Sequence, residues 1–232
     1  MRTPRGGWTD ISASLTGCAL TLLRKALDER RSGVYARRST HYSSYALGSI
    51  VLLVDAFETW LNEAAGSYFM FKQQPKQELA NLSSIARKYY RLAELVANTT
   101  IPQNSELETA IDLRSEIVHH LPRPAGPAHP LPPWLEELRR RGLFVGGQED
   151  DGYVLVADDL ASYALAYWAW ETVAMAIADF LKAVGSQGDI VAGTASNFDR
   201  YREIRPPSQL PDFDLKYNIK LTDPNKPVEE HP

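Results

Sequence analysis

At 232 residues with 44% apolar side chains, the chain holds enough apolar material for a real core, which excludes disorder throughout. A single cysteine, Cys18, excludes a disulfide framework and a cysteine metal cluster, and it fits a reducing compartment, so a cytoplasmic protein is expected. The net charge of −4 excludes a general polyanion binder, yet the charge is uneven: residues 1–125 carry 15 Lys and Arg against 12 Asp and Glu, and residues 126–232 carry 10 against 17. Any nucleic-acid contact is therefore expected in the first half.

The pattern is helical nearly throughout. Met1 to Gly7 is basic but leads into no apolar run, so no secretory signal is read there. A first helix is expected from about Asp10 to Arg31, with Leu15, Ala19, Leu22, Leu23 and Leu27 on one side. After a basic link, a second helix runs from about Ser43 to Ala65 on a stripe of Leu47, Ile50, Val51, Val54, Phe57 and Leu61, with Gly66 as its stop. Asn81 or Ser83 opens a third helix that ends near Asn98. The fourth begins near Asn104, where Ser105 and Glu108 could form a capping box, and ends around His120 because Pro122 disfavours helical geometry at Leu121.

Residues 121–133 contain six prolines and form a stiff extended connection. A short helix, Pro133 to Arg141, follows it. The strand signal Tyr153-Val154-Leu155-Val156 is then expected to pair with Leu143-Phe144-Val145 as a hairpin insertion within residues 142–157. The stretch Leu160 to Val184 is long enough to span a membrane, but Glu171 and Asp179 interrupt it. It reads as a core or interface helix, and no membrane partner is expected. From Gly185 to Pro232 the chain is polar and rich in proline, a tail or docking arm. The expected fold is all-α: an up-down helical bundle over residues 1–184 with a small hairpin insertion and an extended C-terminal tail.

One position breaks the pattern. With about 100° per residue and Arg114 at zero, Leu107, Ala110, Ile111, Ile117, Val118 and Leu121 all fall within about 60° of it. A guanidinium on an apolar face must be paired or must line a polar site. Two histidines, His119 and His120, follow it at the helix end. His119 lies about 140° around the helix from Arg114, and His120 about 120° on the other side. Neither can stand beside Arg114 in a straight helix. They converge only if the helix end unwinds or a second subunit supplies its own copy.

The run Leu113-Arg114-Ser115-Glu116-Ile117-Val118-His119-His120 resembles the signature of HEPN domains, helical bundles whose motif is Arg, four to six residues, then His. Both histidines satisfy the spacing. Ser115 departs from the Asn, Asp or His that the family usually has after the Arg. The helix-two segment Phe57-Glu58-Thr59-Trp60-Leu61-Asn62-Glu63 adds to the likeness, which covers roughly residues 10–184 in helix order. The resemblance implies a homodimer with a composite site, and RNA cleavage without a metal or other cofactor. Histidine titrates in the range for deprotonating a ribose 2′-hydroxyl, and Arg114 could clamp the phosphate with two hydrogen bonds. His119 is then the general acid/base, with His120 as alternative, and Glu58, Asn62 and Ser115 support the site. A toxin or defence effector with an antitoxin or effector partner fits this reading, and DNA does not.

A bland reading stands beside it. Glu58 lies on the helix-two stripe between Val54 and Leu61, so a Glu58–Arg114 pair could tie two helices together in a non-catalytic dimerisation or interaction module. Arg87-Lys88-Tyr89-Tyr90-Arg91 interleaves basic and aromatic residues as RNA-binding surfaces do, with Arg87, Lys88, Tyr89 and Arg91 as the candidate contacts, although at helical spacing Tyr90 also reads as a core residue and the charges as a solvated face. His41 and His129 have no ligand partners nearby, and no metal-site spacing occurs.

Overall fold

A computed structural model describes residues 10–31, 43–72, 82, 84–98, 100–119, 122–125, 128–144, 154–155, 157–185 and 188–204. The chain is all-α in its described part. The long helices are α1 (Ile11–Arg31), α2 (Ser44–Lys72), α3 (Ile85–Ala97), α4 (Ser105–Val118) and α6 (Tyr163–Val184), with a short α5 (Pro133–Arg140) between the last two. Local signals set most boundaries. Ser84, Asn104 and Ser162 each cap a helix by accepting an N–H three residues on, and Asn98 ends α3 in the left-handed conformation at φ 51°. The Ser105–Glu108 capping box does not form: Asn104 is the cap, and the Glu108 carboxylate instead accepts from Tyr90 and Gln103.

Helix α2 organises the rest. Ser12 meets Glu63 and the Ala19 carbonyl accepts from Ser49, so α1 and α2 run antiparallel. Gly48 lets them approach closely, because a Cβ there would stand 2.9 Å from Leu22 Cδ1. Ser49 accepts from the Trp170 indole and Trp60 packs edge-on against Phe180, so α6 runs in the same direction as α2. Phe57 and Glu58 meet Tyr89 and Lys88, and further along Tyr68 donates to the Leu95 carbonyl. Helix α3 therefore runs with α2, a departure from strict up-down alternation. The core holds Trp60, Trp170, Tyr89, Phe57 and Phe180, each almost wholly removed from water.

Three further expectations change. Helix α2 does not stop at Gly66 but continues to Lys72, because buried Tyr68 and Phe69 anchor another turn and a half. Val154–Leu155 form a two-residue antiparallel ladder with Arg123–Pro124. The hairpin partner expected for them does not appear in Leu143 and Phe144, which lie in a turn, and Val145, Tyr153 and Val156 lie outside the described residues.

The third change concerns the assigned tail. A short helix α7 (Gly188–Val191) leads into a 3-10 helix, Ala195–Ile204, whose residues Ala195, Phe198, Tyr201 and Ile204 are all buried. Spacing by three puts them on one face of a 3-10 helix. Phe198 meets Trp60, Tyr201 stacks near Trp170, and the Ala192 carbonyl accepts the Trp60 indole N–H at 3.1 Å. Residues 205–232 of that tail lie outside the described residues. By length and composition, Ser44–Met70 within α2 could cross a membrane, and half of its most apolar window is buried against the other helices. Helix α6, read from the sequence as a core or interface helix, is covered on most of its surface.

Candidate functional site

Helix α4 buries Leu107, Ala110 and Leu113, with Ile111 and Ile117 half covered and Val118 45% exposed. The buried stripe is thus centred toward Leu113, and it fades along the helix. Arg114 stands at its edge, with a side chain 29% exposed. The full cost of burying a guanidinium does not arise there, because solvent still reaches the group.

Its partner is not Glu58. Arg114 Nε donates to Asp55 Oδ1 at 3.0 Å, and Nη2 lies 2.9 Å from the same oxygen. Glu58, one turn further along α2, takes Lys88 Nζ on Oε1 at 2.5 Å. The two acids stand about 60° apart around α2, so each faces a different neighbour: Asp55 faces α4 and Glu58 faces α3. Asn62 is exposed further along α2, about two turns beyond the Asp55 that Arg114 contacts. The signal for Asp55 was present in the sequence, since it is the only charged residue between Ser44 and Phe57.

His119 closes α4. Its φ of −111° and ψ of 18° leave the helix, its backbone N–H donates to the Ser115 carbonyl at 3.0 Å, and its side chain is exposed. The Ser115 side chain is exposed as well. Among the described residues, no hydrogen bond joins His119 to Arg114, in keeping with their separation around the helix. His120 lies outside the described residues.

The basic and aromatic run on α3 divides. Tyr89 is fully buried and donates to the Ala176 carbonyl at 2.9 Å; burial pushes its phenol well above the usual range. It cannot stack on a nucleobase, which corrects its assignment as an RNA contact. Lys88 is engaged with Glu58, and Arg91 pairs with Glu94 at 3.0 Å. Arg87 is exposed and borders a cavity of about 510 Å³ between α3 and α4, which Tyr90, Gln103, Glu108, Ile111 and Asp112 also line. Asp112 lies about 160° around α4 from Arg114, so this cavity opens on another side of the helix. Loss of hydration, and then the nearby Glu108 charge, raise the Asp112 carboxyl above its ordinary value. Among the described residues, no three His, Cys, Asp or Glu side chains stand where they could hold a metal ion.

Chemically, the arrangement offers a cation held in a fixed orientation at the rim of α2 and α4, five residues before an exposed imidazole that lies on another side of the helix. No family model, no curated protein and no solved structure matches this chain.

Proposed function

We propose that this chain is a HEPN-like endoribonuclease built on a helical bundle, acting in the cytoplasm as a homodimer. The observation that carries the reading is Arg114: a guanidinium fixed by Asp55, partly open to solvent, and followed at the motif spacing by an exposed His119. In the reaction, an imidazole takes the proton of a ribose 2′-hydroxyl and the 2′-oxygen bonds to phosphorus. The bond from phosphorus to the 5′-oxygen breaks as that oxygen takes up a proton, leaving a 2′,3′-cyclic phosphate. Arg114 stabilises the charge that builds on the phosphoryl oxygens. Because His119 stands about 140° around α4 from Arg114, the complete site takes its imidazole from a second copy of the chain. Control by an antitoxin or effector partner fits such an activity.

The test is cleavage of single-stranded RNA by purified protein in the presence of a chelator, with analysis of the product ends. Arg114→Ala and His119→Ala are expected to lower the rate by about a hundredfold or more while the protein stays folded. Wild-type protein that leaves every RNA intact would sink the proposal.

A second reading keeps a specific observation in its favour: Arg114 already has a carboxylate partner within the chain. The motif would then be a helix tie in a non-catalytic dimerisation module, and RNA would be neither bound nor cut.

A further inference from the structure

The way Arg114 is held has a consequence for the proposed reaction. A guanidinium carries five N–H donors in a planar fork, with a side edge formed by Nε and Nη2 and an end edge formed by Nη1 and Nη2. Asp55 Oδ1 takes the side edge: Nε donates at 3.0 Å and Nη2 stands 2.9 Å away. Among the described residues, no acceptor is bonded to Nη1. The carboxylate thus fixes the plane of the fork and leaves the end edge for a ligand. Asp55 itself sits on α2 between buried Val54 and Ala56, so its backbone position is set by the core.

We propose that Asp55 is a positioning residue for Arg114, one that presents the end edge of the guanidinium to a phosphodiester. The inference rests on the nuclease reading above and deepens it. Asp55 has two opposed effects on a polyanionic substrate. Its negative charge weakens ground-state attraction, while its hold on the fork aligns the hydrogen bonds needed when charge develops on the phosphoryl group. Removing it therefore separates binding from turnover, which the loss of a merely structural tie does not do.

The experiment measures kcat and KM on full-length protein with a short fluorogenic RNA, alongside thermal melting and the solvent exchange of the Arg114 Nε proton by NMR. Asp55→Ala and Asp55→Asn are expected to lower kcat by about tenfold or more, with KM level or lower, and to speed that exchange. Asp55→Glu, which restores the charge on a longer arm, recovers part of kcat. Should Asp55→Ala turn over at the wild-type rate, or should a raised KM account for the whole loss, the positioning role is overturned and the nuclease reading stands. A kcat loss that vanishes at temperatures where the variant is fully folded also overturns it. A wild-type protein that cuts no RNA removes the nuclease reading and this inference together.

Discussion

Arg114 and Asp55 meet through a single carboxylate oxygen, which receives the guanidinium Nε at 3.0 Å and lies 2.9 Å from Nη2. Side-chain exposures of 29% and 32% place the pair between a surface contact and a buried one. Its contribution to stability is therefore modest. A double-mutant cycle with Arg114→Ala and Asp55→Ala, read by urea unfolding, should give a coupling of about 1 kcal/mol. The coupling should shrink in concentrated salt, which screens solvent-accessible charges. A coupling of several kcal/mol would mean that the pair is far drier than its exposure indicates.

The last described segment should matter much more. Phe198 is buried against Trp60, so Phe198→Ala is expected to cost about 3–5 kcal/mol in chemical unfolding. Trp60→Phe keeps most of the ring but leaves the Ala192 carbonyl without its indole donor, at a cost of about 1–3 kcal/mol. If both variants unfold with the wild-type midpoint, residues 188–204 do not belong to the cooperative unit.

Acid should favour the folded state at Asp112. Burial and Glu108 raise its carboxyl above the ordinary 3.8, so the charged form is the one the fold disfavours. Such a group stabilises most when protonated, below its unfolded value, and that advantage is lost as the pH rises through the folded value. Asp112→Asn should accordingly stabilise the protein at pH 7, and the difference should fade as the pH falls below about 4. Melting curves of both proteins across that range decide it; a variant less stable than wild type at neutral pH contradicts the sign.

Tyr89 offers a cleaner separation of structure from binding. Tyr89→Phe removes only the hydroxyl that donates to Ala176, which should cost about 1 kcal/mol of stability. RNA affinity measured by filter binding should not move, because the ring never reaches solvent. A weakened RNA complex with an intact fold would return Tyr89 to the binding surface.

Much of the helical layout was legible because its signals are local. The start of α4 near Asn104, the stripes of α1 and α2, and the end of α4 before Pro122 all follow from a few neighbouring residues. The partner of Arg114 was not local. Glu58 and Asp55 share one side of α2, and only the way α3 and α4 cross that side assigns Lys88 to the first and Arg114 to the second. The C-terminal segment failed for a different reason. Its anchors Ala195, Phe198, Tyr201 and Ile204 recur every third residue, so a search at 3.6 residues per turn passes over them, and the polar residues between them dominate the composition. Of the two adjacent tyrosines on α3 the sequence pointed to Tyr90 as the core residue, whereas Tyr89 is the one fully buried and Tyr90 is only partly so.

Helix α2 holds a different element at almost every turn: α6 through Ser49, α4 through Asp55, α3 through Glu58, the segment before the 3-10 helix through Trp60, and α1 through Glu63. These attachments point in different directions around one rigid rod. A small roll of α2 about its axis would strain all of them at once, so the rod has a single stable setting. Arg114 inherits that setting through Asp55, and Ala192 inherits it through Trp60 just over one turn away. The orientation of the candidate cation is thus mechanically tied to residues near the far end of the described chain, without any direct touch between the two.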